Sequence, residues 1–475
     1  MSAASFEESA AERKTARVRC VRWTGTGERA KLPTMPRAVF ADVDENSSVW
    51  AATSNPGPPL APLRGDLQAD LVVIGAGFTG LSTAYHLSER FPEKKVVVLE
   101  AKRVGNGASG RNAGMVLHWI NGPELESPER ARRLYSLTSE TMDWIQGLAV
   151  AHGFPLRFRR DGCAEALTDM RRAEAAHKEA ETLASFGLPI RFLSGAALDA
   201  RLRATGVVGA IFDPTAGRIH GLDLLHGLRG VLLARGVSVL EDSPVIAIEE
   251  GASHRLSTPE GSVQAPAMVL ATNAHTPSLG YFRGGILPLH SHCVATEPLD
   301  AERWRELGWG ELAGFSDDLD RIAYASMTAE GRLVFGGGGN AAYSYYYGSR
   351  TTPVGSTEPA HRFVRSILDK YFPGARDVRL DHQWTGTLGV TMSRMCSMGV
   401  TGAHRNVYYA VGYSGHGITL ANLAGRVLCD LYSDHPEPWR DLPFYQAPLR
   451  GIPPEPLRWM GYHAFTALTG KSPRR

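Results

Sequence analysis

No apolar run in the sequence approaches the roughly 18–20 residues that a membrane span requires. The opening stretch, MSAASFEESAAERKTARVRC, has no apolar core of the kind a secretory signal needs. Neither sign of charge is in excess. A formal net charge of +2 argues against the strongly basic surface that nucleic acid demands. The five cysteines (Cys20, Cys163, Cys293, Cys396 and Cys429) are scattered, and no two form a CxxC pair. Such an odd, dispersed set provides no redox disulfide or metal cluster and fits a reducing compartment, so the expected address is cytoplasmic. A phosphate-cradling GxxxxGK[ST], zinc-ligand spacing and a Ser/His/Asp arrangement are also lacking. His290 and His292 share one face of a strand, but with no third ligand in view no metal site is expected.

What is there reads as a soluble globular protein. The chain has 475 residues, 43% hydrophobic and 21% charged, which is long enough for two folding units. Residues 1–47 show no clear periodicity and read as a partly ordered extension. The proline-rich SNPGPPLAPLRGD then forms an extended lead-in, and the folded body opens with a strand at ADLVVIG. Apolar periodicity predicts helices over 79–90, 128–150, 168–185, 222–235 and 359–372, the fourth stopped by Gly236. Strands are expected at KVVVLE, VSVLE, VIAIE and MVLATN, and through most of 281–345.

The strongest local signal is LVVIGAGFTGLSTAYHL, followed by VVVLE. Gly75, Gly77 and Gly80 form GxGxxG between a strand and a helix, in the run Gly75, Ala76, Gly77, Phe78, Thr79, Gly80. The first glycine permits a tight turn, the second lets backbone approach a pyrophosphate, and the third lets helix and strand pack closely. The helix N-terminus faces that anion with free N–H groups and partial positive charge. Glu100 ends the second strand, 20 residues after Gly80, and Ala101 and Lys102 follow it. An acid there suits ribose hydroxyls.

Two further segments favour FAD over a nicotinamide. VGNGASGRNAGMV is a second small-residue run containing Gly107, Ala108, Ser109, Arg111, Asn112, Ala113, Gly114 and Met115, suited to backbone tracking a long cofactor. Near the other end, YYAVGYSGHGITLANLAGRVLCDLY sets Gly412, Gly415, His416, Gly417 and Ile418 just before another helix. Aimed at a flavin, that helix end would stabilise the negative charge of reduction by about 0.3–2 kcal/mol, depending on burial.

These motifs, together with ATNA at 271–274, ATEPL at 295–299 and VFGGGG at 334–339, resemble the D-amino-acid oxidase/glycine oxidase (DAO) superfamily of FAD-dependent enzymes over roughly 48–435, with the gamma-glutamylputrescine oxidase-like branch the most similar. The resemblance implies an α/β protein with a discontinuous Rossmann-type FAD-binding domain at 48–150, 216–280 and 381–440. It also implies an inserted α+β substrate domain on an antiparallel sheet at 151–215 and 281–380, and a tail or helix at 441–475. Val245 matches a position whose backbone contacts adenine, and Thr272 and Asn273 match a strand end beside the cofactor. Trp384 and Gly386 lie in a segment expected near the flavin.

Glycine oxidase-like members carry W-x-G-x-R, whose Arg pairs with the substrate carboxylate. Here the segment is WTGTLGVTMSRMCSMG, with Leu388 in that place. An apolar side chain cannot hold a carboxylate, so a simple alpha-amino acid is disfavoured. Cys396 stands where relatives usually have proline, and non-covalent FAD is expected. The implied activity is oxidation of the C–N bond of a small amine or imino acid, with oxygen or another acceptor taking the electrons. Removing a hydride requires the nitrogen to be neutral, which an apolar, aromatic pocket promotes. Tyr324, Trp384 and His292 are the catalytic candidates, and Tyr343, Tyr345, Tyr346 and Tyr347 add aromatic supply. A flavin monooxygenase would carry a G-D pair where this chain reads VGYSGHG. A non-catalytic flavin-binding subunit stays open. The apolar, basic tail is expected to close over the body as a helix in preference to lying on a membrane.

Overall fold

A computed structural model describes residues 37–38, 43–118 and 127–469. The rest of the predicted extension, including Cys20, and residues 470–475 of the tail lie outside the described residues. Strands Leu71–Ile74 and Val96–Leu99 are buried at every position. Such continuous apolar runs belong in a parallel sheet covered on both faces. They sit inside a six-stranded sheet ordered Ser238–Leu240, Val96–Leu99, Leu71–Ile74, Ala267–Leu270, Val407–Val411, Ser397–Thr401. Every pairing is parallel except the last. The sheet is Rossmann-type, and its strands come from segments far apart in the chain.

Side-chain alternation sorts the two faces. Leu71, Val73, Val96 and Val98 pack with residues of helices Phe78–Arg90, Gly221–Ala234 and Gly417–Tyr432. Val72, Ile74, Val97 and Leu99 pack with Ile248, Leu256 and Val263. Those three come from a five-stranded sheet ordered Arg37–Ala38, Ala247–Glu249, His254–Ser257, Gly261–Ala265, Gly65–Gln68.

A larger sheet runs Tyr343–Ser344, Leu287–Thr296, Leu333–Gly337, Ala323–Met327, Gly314–Asp317, Cys163–Leu167, Gly209–Asp213, Arg191–Leu193. It has its own core around Phe212, Trp309, Phe315, Phe335 and Phe372. Two observations differ from the sequence reading. The sheet is not wholly antiparallel, because Gly314–Asp317 pairs in parallel with Cys163–Leu167. Leu380–Val390 pairs along its length with Leu287–Thr296 of this sheet, although the cofactor segment was expected to resume at 381. From within that sheet its Trp-Thr-Gly motif meets Arg111, with the Trp384 indole donating to the Arg111 carbonyl at 2.9 Å.

The folded body also begins earlier than expected. Helix Val49–Thr53 buries Val49 and Trp50 and is capped by Ser48, and strand Gly65–Gln68 precedes Leu71. Its polar lead, with Asn46 and Ser48, gives no apolar period to read. The terminal helix Leu457–Thr469 does fold over the body: Arg458 donates to the carbonyl of Arg283 at 2.6 Å, and Tyr462 packs on the large sheet's core. Among the described residues no helix is long and apolar enough to cross a membrane. The described residues pack as one compact unit despite their separate cores.

Helices Phe78–Arg90 and Gly417–Tyr432 cross closely. Ser82 Oγ donates to the carbonyl of Asn422 at 2.7 Å, and a Cβ on Gly425 would fall 2.1 Å from Ser82 Oγ and 2.5 Å from its carbonyl carbon. Gly425→Ala is therefore expected to destabilise by about 1–3 kcal/mol, overpacking outweighing the gain in helix propensity. Gly147, mid-helix with nothing within 4 Å of its virtual Cβ, is the control. Gly147→Ala should stabilise by roughly 0.5–1 kcal/mol. Thermal unfolding midpoints moving in opposite directions check the pair, and a rise for Gly425→Ala would refute the tight crossing.

Candidate functional site

The first glycine turn forms as its spacing requires. Gly75 adopts φ +101° and donates to Leu99 O at 2.8 Å. A Cβ on Gly80 would lie 1.8 Å from Gly75 O, so helix and turn touch backbone to backbone. The Glu100 carboxylate closes the loop, accepting from the N–H groups of Ala76 at 2.8 Å and Lys102 at 3.1 Å. Burial raises the pKa of Glu100, and those N–H groups oppose the rise.

The second loop is fastened to the first. Phe78 N–H donates to Ser109 Oγ at 3.1 Å, and a Cβ on Gly77 would stand 2.7 Å from that same oxygen. Asn112 braces the loop from within, accepting from Gly114 N–H at 2.8 Å and donating to the carbonyls of Ala108 and Ser109. Arg111 is the anchor. It donates to the carbonyls of Asn106, Asp44 and Thr385 and pairs with the Asp44 carboxylate at 3.0 Å. Ser48 Oγ donates to Gly110 O at 2.6 Å and the Trp50 indole to Asn112 O at 2.6 Å. Residues 44–50 thus support the cofactor loop. The sequence reading missed this because side-chain-to-backbone bonds leave no periodic trace.

Both helix N-termini open onto one cavity of about 870 Å³. Of the expected cofactor residues, Gly75, Gly77, Phe78, Thr79, Glu100, Ala101, Gly107, Ala108, Ser109, Arg111, Asn112, Ala113, Met115, Val245, Thr272, Asn273, Gly386, Gly415, His416, Gly417 and Ile418 line it. Ala76, Gly80, Lys102, Gly114, Gly412 and Trp384 do not, and each shapes the walls instead. Gly412 N–H donates to Asn273 Oδ1 at 2.9 Å, and the Trp384 indole, buried, donates to Arg111 O at 2.9 Å. Gly386 lies against that carbonyl, its virtual Cβ 3.1 Å away. Tyr413, unremarked in the sequence, also lines the cavity and bonds Thr79 Oγ1 at 2.7 Å.

Beyond the glycine turns, the large sheet supplies Leu289, Ser291, Tyr324, Tyr343 and Leu388 as the facing wall. The Tyr324 hydroxyl bonds Ser291 Oγ at 2.7 Å and Cys293 Sγ at 3.1 Å, and burial holds its pKa well above the usual phenol value. His292 is not part of that wall. It is enclosed between Thr385 Oγ1 at 2.9 Å and Ser344 Oγ at 3.1 Å, and burial pushes its pKa down to about 3. Strand alternation explains the misplacement: Ser291 faces the cavity and the next residue faces away. His290, pushed down to about 4 by burial, bonds Thr387 Oγ1 and the carbonyl of Arg350. A further wall holds His118, between Thr138 and Thr215 and stacked on Tyr135 at 3.9 Å, its pKa also lowered by burial to about 4.

The donor set suits FAD: two glycine turns that open helices, an acid at the strand end, and one cavity lined by both turns. Comparison with known proteins agrees. The family model described as "FAD dependent oxidoreductase" (DAO) matches residues 70–431. Gamma-glutamylputrescine oxidoreductase of Escherichia coli (strain K12) is 30% identical over 420 residues, covering 85% of this chain and 94% of the relative. Sarcosine oxidase subunit beta of Rhodobacter capsulatus is 23% identical, covering 75% of this chain and 85% of the relative. Among solved structures, glycine oxidase from Geobacillus kaustophilus superposes with a TM-score of 0.68 at 20% identity, over 81% of this chain and all (100%) of that one. L-proline dehydrogenase from P. horikoshii gives 0.66 at 21% identity, over 80% and 96%. A backbone built to touch itself at Gly75 and Gly80, in a chain matched from end to end of its six-stranded sheet, makes this protein a member of the DAO family of FAD-dependent oxidoreductases.

Proposed function

We propose that the protein oxidises the carbon–nitrogen bond of a small amine or imino acid to an imine, which water then hydrolyses. One observation carries the reading: a single cavity joins the two glycine turns to a wall of Tyr324, Tyr343 and Leu388. When bound, FAD supplies the acceptor for the hydride leaving the carbon beside nitrogen.

The chain's own residues address the other requirement, a substrate nitrogen that has lost its proton. Burial raises the pKa of both Tyr324 and Tyr343, so both phenols stay neutral. Their rings attract an incoming ammonium, and removal from water then lowers its pKa. Tyr324, fixed by Ser291 and Cys293, is the residue best held to orient the substrate. Leu388 offers an alpha-carboxylate no partner, and stranding one there would cost several kcal/mol. We therefore favour an amine whose acidic group, if present, is remote from the nitrogen. The relatives named for gamma-glutamylputrescine, sarcosine and glycine support an amine or amino acid substrate.

In this reading the six-stranded sheet and its helices form the FAD half, and the large sheet forms the substrate half. The first-turn N–H groups of helix Gly417–Tyr432, left without internal partners, face the cavity and favour negative charge on the bound cofactor. Attachment of FAD is non-covalent: Cys396 belongs to the hydrophobic core, and burial pushes its thiol up to about 12. Oxygen or another acceptor then takes the electrons.

Anaerobic mixing with a panel of primary and secondary amines should bleach the visible flavin band for at least one member. A band that persists across the panel would leave only a non-catalytic flavin protein. Running peroxide release and dye reduction side by side then identifies the acceptor. Glu100→Gln should weaken FAD binding roughly tenfold, since the neutral amide accepts less strongly from the Ala76 and Lys102 N–H groups. Fluorescence titration of the flavin-stripped protein measures it. Tyr324→Phe should lower kcat/KM by about three- to tenfold, the worth of one neutral hydrogen bond. An unchanged kcat/KM would remove Tyr324 from the substrate's surroundings.

A further inference from the structure

The sequence has Leu388 where glycine oxidase-like relatives have an arginine, yet the cavity does not lack a cation. Arg321 lines it in the turn between strands Gly314–Asp317 and Ala323–Met327, beside Ile322 and Tyr343. Tyr343 OH donates to Ile322 O at 2.8 Å, which ties the turn to the aromatic wall. Asp317, fully buried, pins the same turn by accepting from the N–H groups of Leu319 at 3.3 Å and Ala323 at 2.9 Å.

The guanidinium is held from behind by neutral groups. Nε donates to Asn340 Oδ1 at 3.3 Å, and Nη2 donates to Thr466 Oγ1 at 3.2 Å. Asn340 in turn donates to the carbonyl of Thr466 at 2.5 Å. The rings of Tyr462 and Phe465 each lie 5.6 Å from the guanidinium carbon. Thr466, Tyr462 and Phe465 all belong to the terminal helix Leu457–Thr469. Among the described residues no carboxylate forms an ion pair with Arg321. Asp320, its neighbour in the chain, also lines the cavity and would repel a second anionic group. Two other arginines of the described residues line the cavity: Arg111 is committed to Asp44 and backbone carbonyls, and Arg394 stands beyond strand Leu380–Val390.

We infer that Arg321, set in place by Asn340 and the C-terminal helix, binds a single carboxylate at the end of the substrate away from the oxidised nitrogen. This rests on the amine-oxidation reading above and narrows its substrate class to amino compounds with the acid several bonds from the amine. A planar fork with donors to spare suits a carboxylate, and Leu388 supplies no charge for an alpha-carboxylate. Asn340 and Thr466 act as positioning residues.

The test compares holoenzyme and Arg321→Met on matched pairs: 4-aminobutyrate against butylamine, and 6-aminohexanoate against hexylamine. The ratio of kcat/KM within a pair should fall by about tenfold to a hundredfold, through KM, with Arg321→Lys recovering part of it. Thr466→Val should raise KM for the amino acids about threefold with kcat held, a split that a general loss of folding would not give. Calorimetric titration with hexanoate reads the site without turnover: the holoenzyme should bind it, and Arg321→Met should bind it at least about tenfold more weakly. Equal binding by both, or no binding by the holoenzyme, overturns the inference. If no amine reduces the flavin but hexanoate still distinguishes the two proteins, amine oxidation fails and the carboxylate site stands. Should Arg321→Met lose its flavin, Arg321→Gln decides the same ratio and titration.

Discussion

Two glycines must pack against backbone carbonyls, and a third against a serine side chain, for this site to exist. Gly80 meets the carbonyl of Gly75, Gly77 meets Ser109, and Gly386 meets the carbonyl of Arg111. A Cβ at any of the three would stand 1.8, 2.7 or 3.1 Å from a neighbouring protein atom, closer than ordinary van der Waals contact. The contacts are interdependent, because Ser109 accepts from Phe78 N–H while Arg111 receives the Trp384 indole on its carbonyl. One loop thereby aligns the first helix of the nucleotide sheet with a strand of the other half. The cofactor cradle and the facing wall share a single piece of scaffolding.

The wall itself is polar but mostly uncharged. Burial keeps the Tyr324 and Tyr343 phenols protonated and, behind the wall, lowers the His290 and His292 imidazoles to about 4 and about 3. Each of these side chains has hydrogen-bond partners on the sheet, so neutrality does not leave them unsatisfied. An environment of this kind disfavours an ammonium ion relative to the free amine, whichever residue carries the proton away. Charged side chains line the cavity elsewhere: Glu100 and Arg111 by the nucleotide turn, Asp320 and Arg321 on the turn before Ala323–Met327, and Glu165, Glu179, Asp213 and Arg394.

The sequence motifs located the nucleotide turn, the second small-residue loop and the late helix N-terminus closely, because each is a local device whose function dictates its composition. Helices Pro128–His152, Met170–Ser185 and Gly221–Ala234 were equally legible from their apolar period. Side-chain direction was less so. His292 lies behind the cavity wall because it faces away from Ser291 on its strand, and Trp384, on the same face as Gly386, is taken up by its bond to Arg111 O. The support given by Asp44, Ser48 and Trp50 rests on single hydrogen bonds to a loop some 60 residues on, which no window of sequence records.

By itself the sequence determined that the chain would bind a dinucleotide on an α/β sheet, since glycine spacing between a strand and a helix is a short-range steric requirement. Tertiary structure alone decided which side chains meet around the substrate space. Leu380–Val390 joins the large sheet, Tyr413 reaches Thr79 across more than three hundred residues, and Arg321 meets the terminal helix. Those meetings depend on sheet order and register, and contacts between distant segments are set by the packing of whole layers.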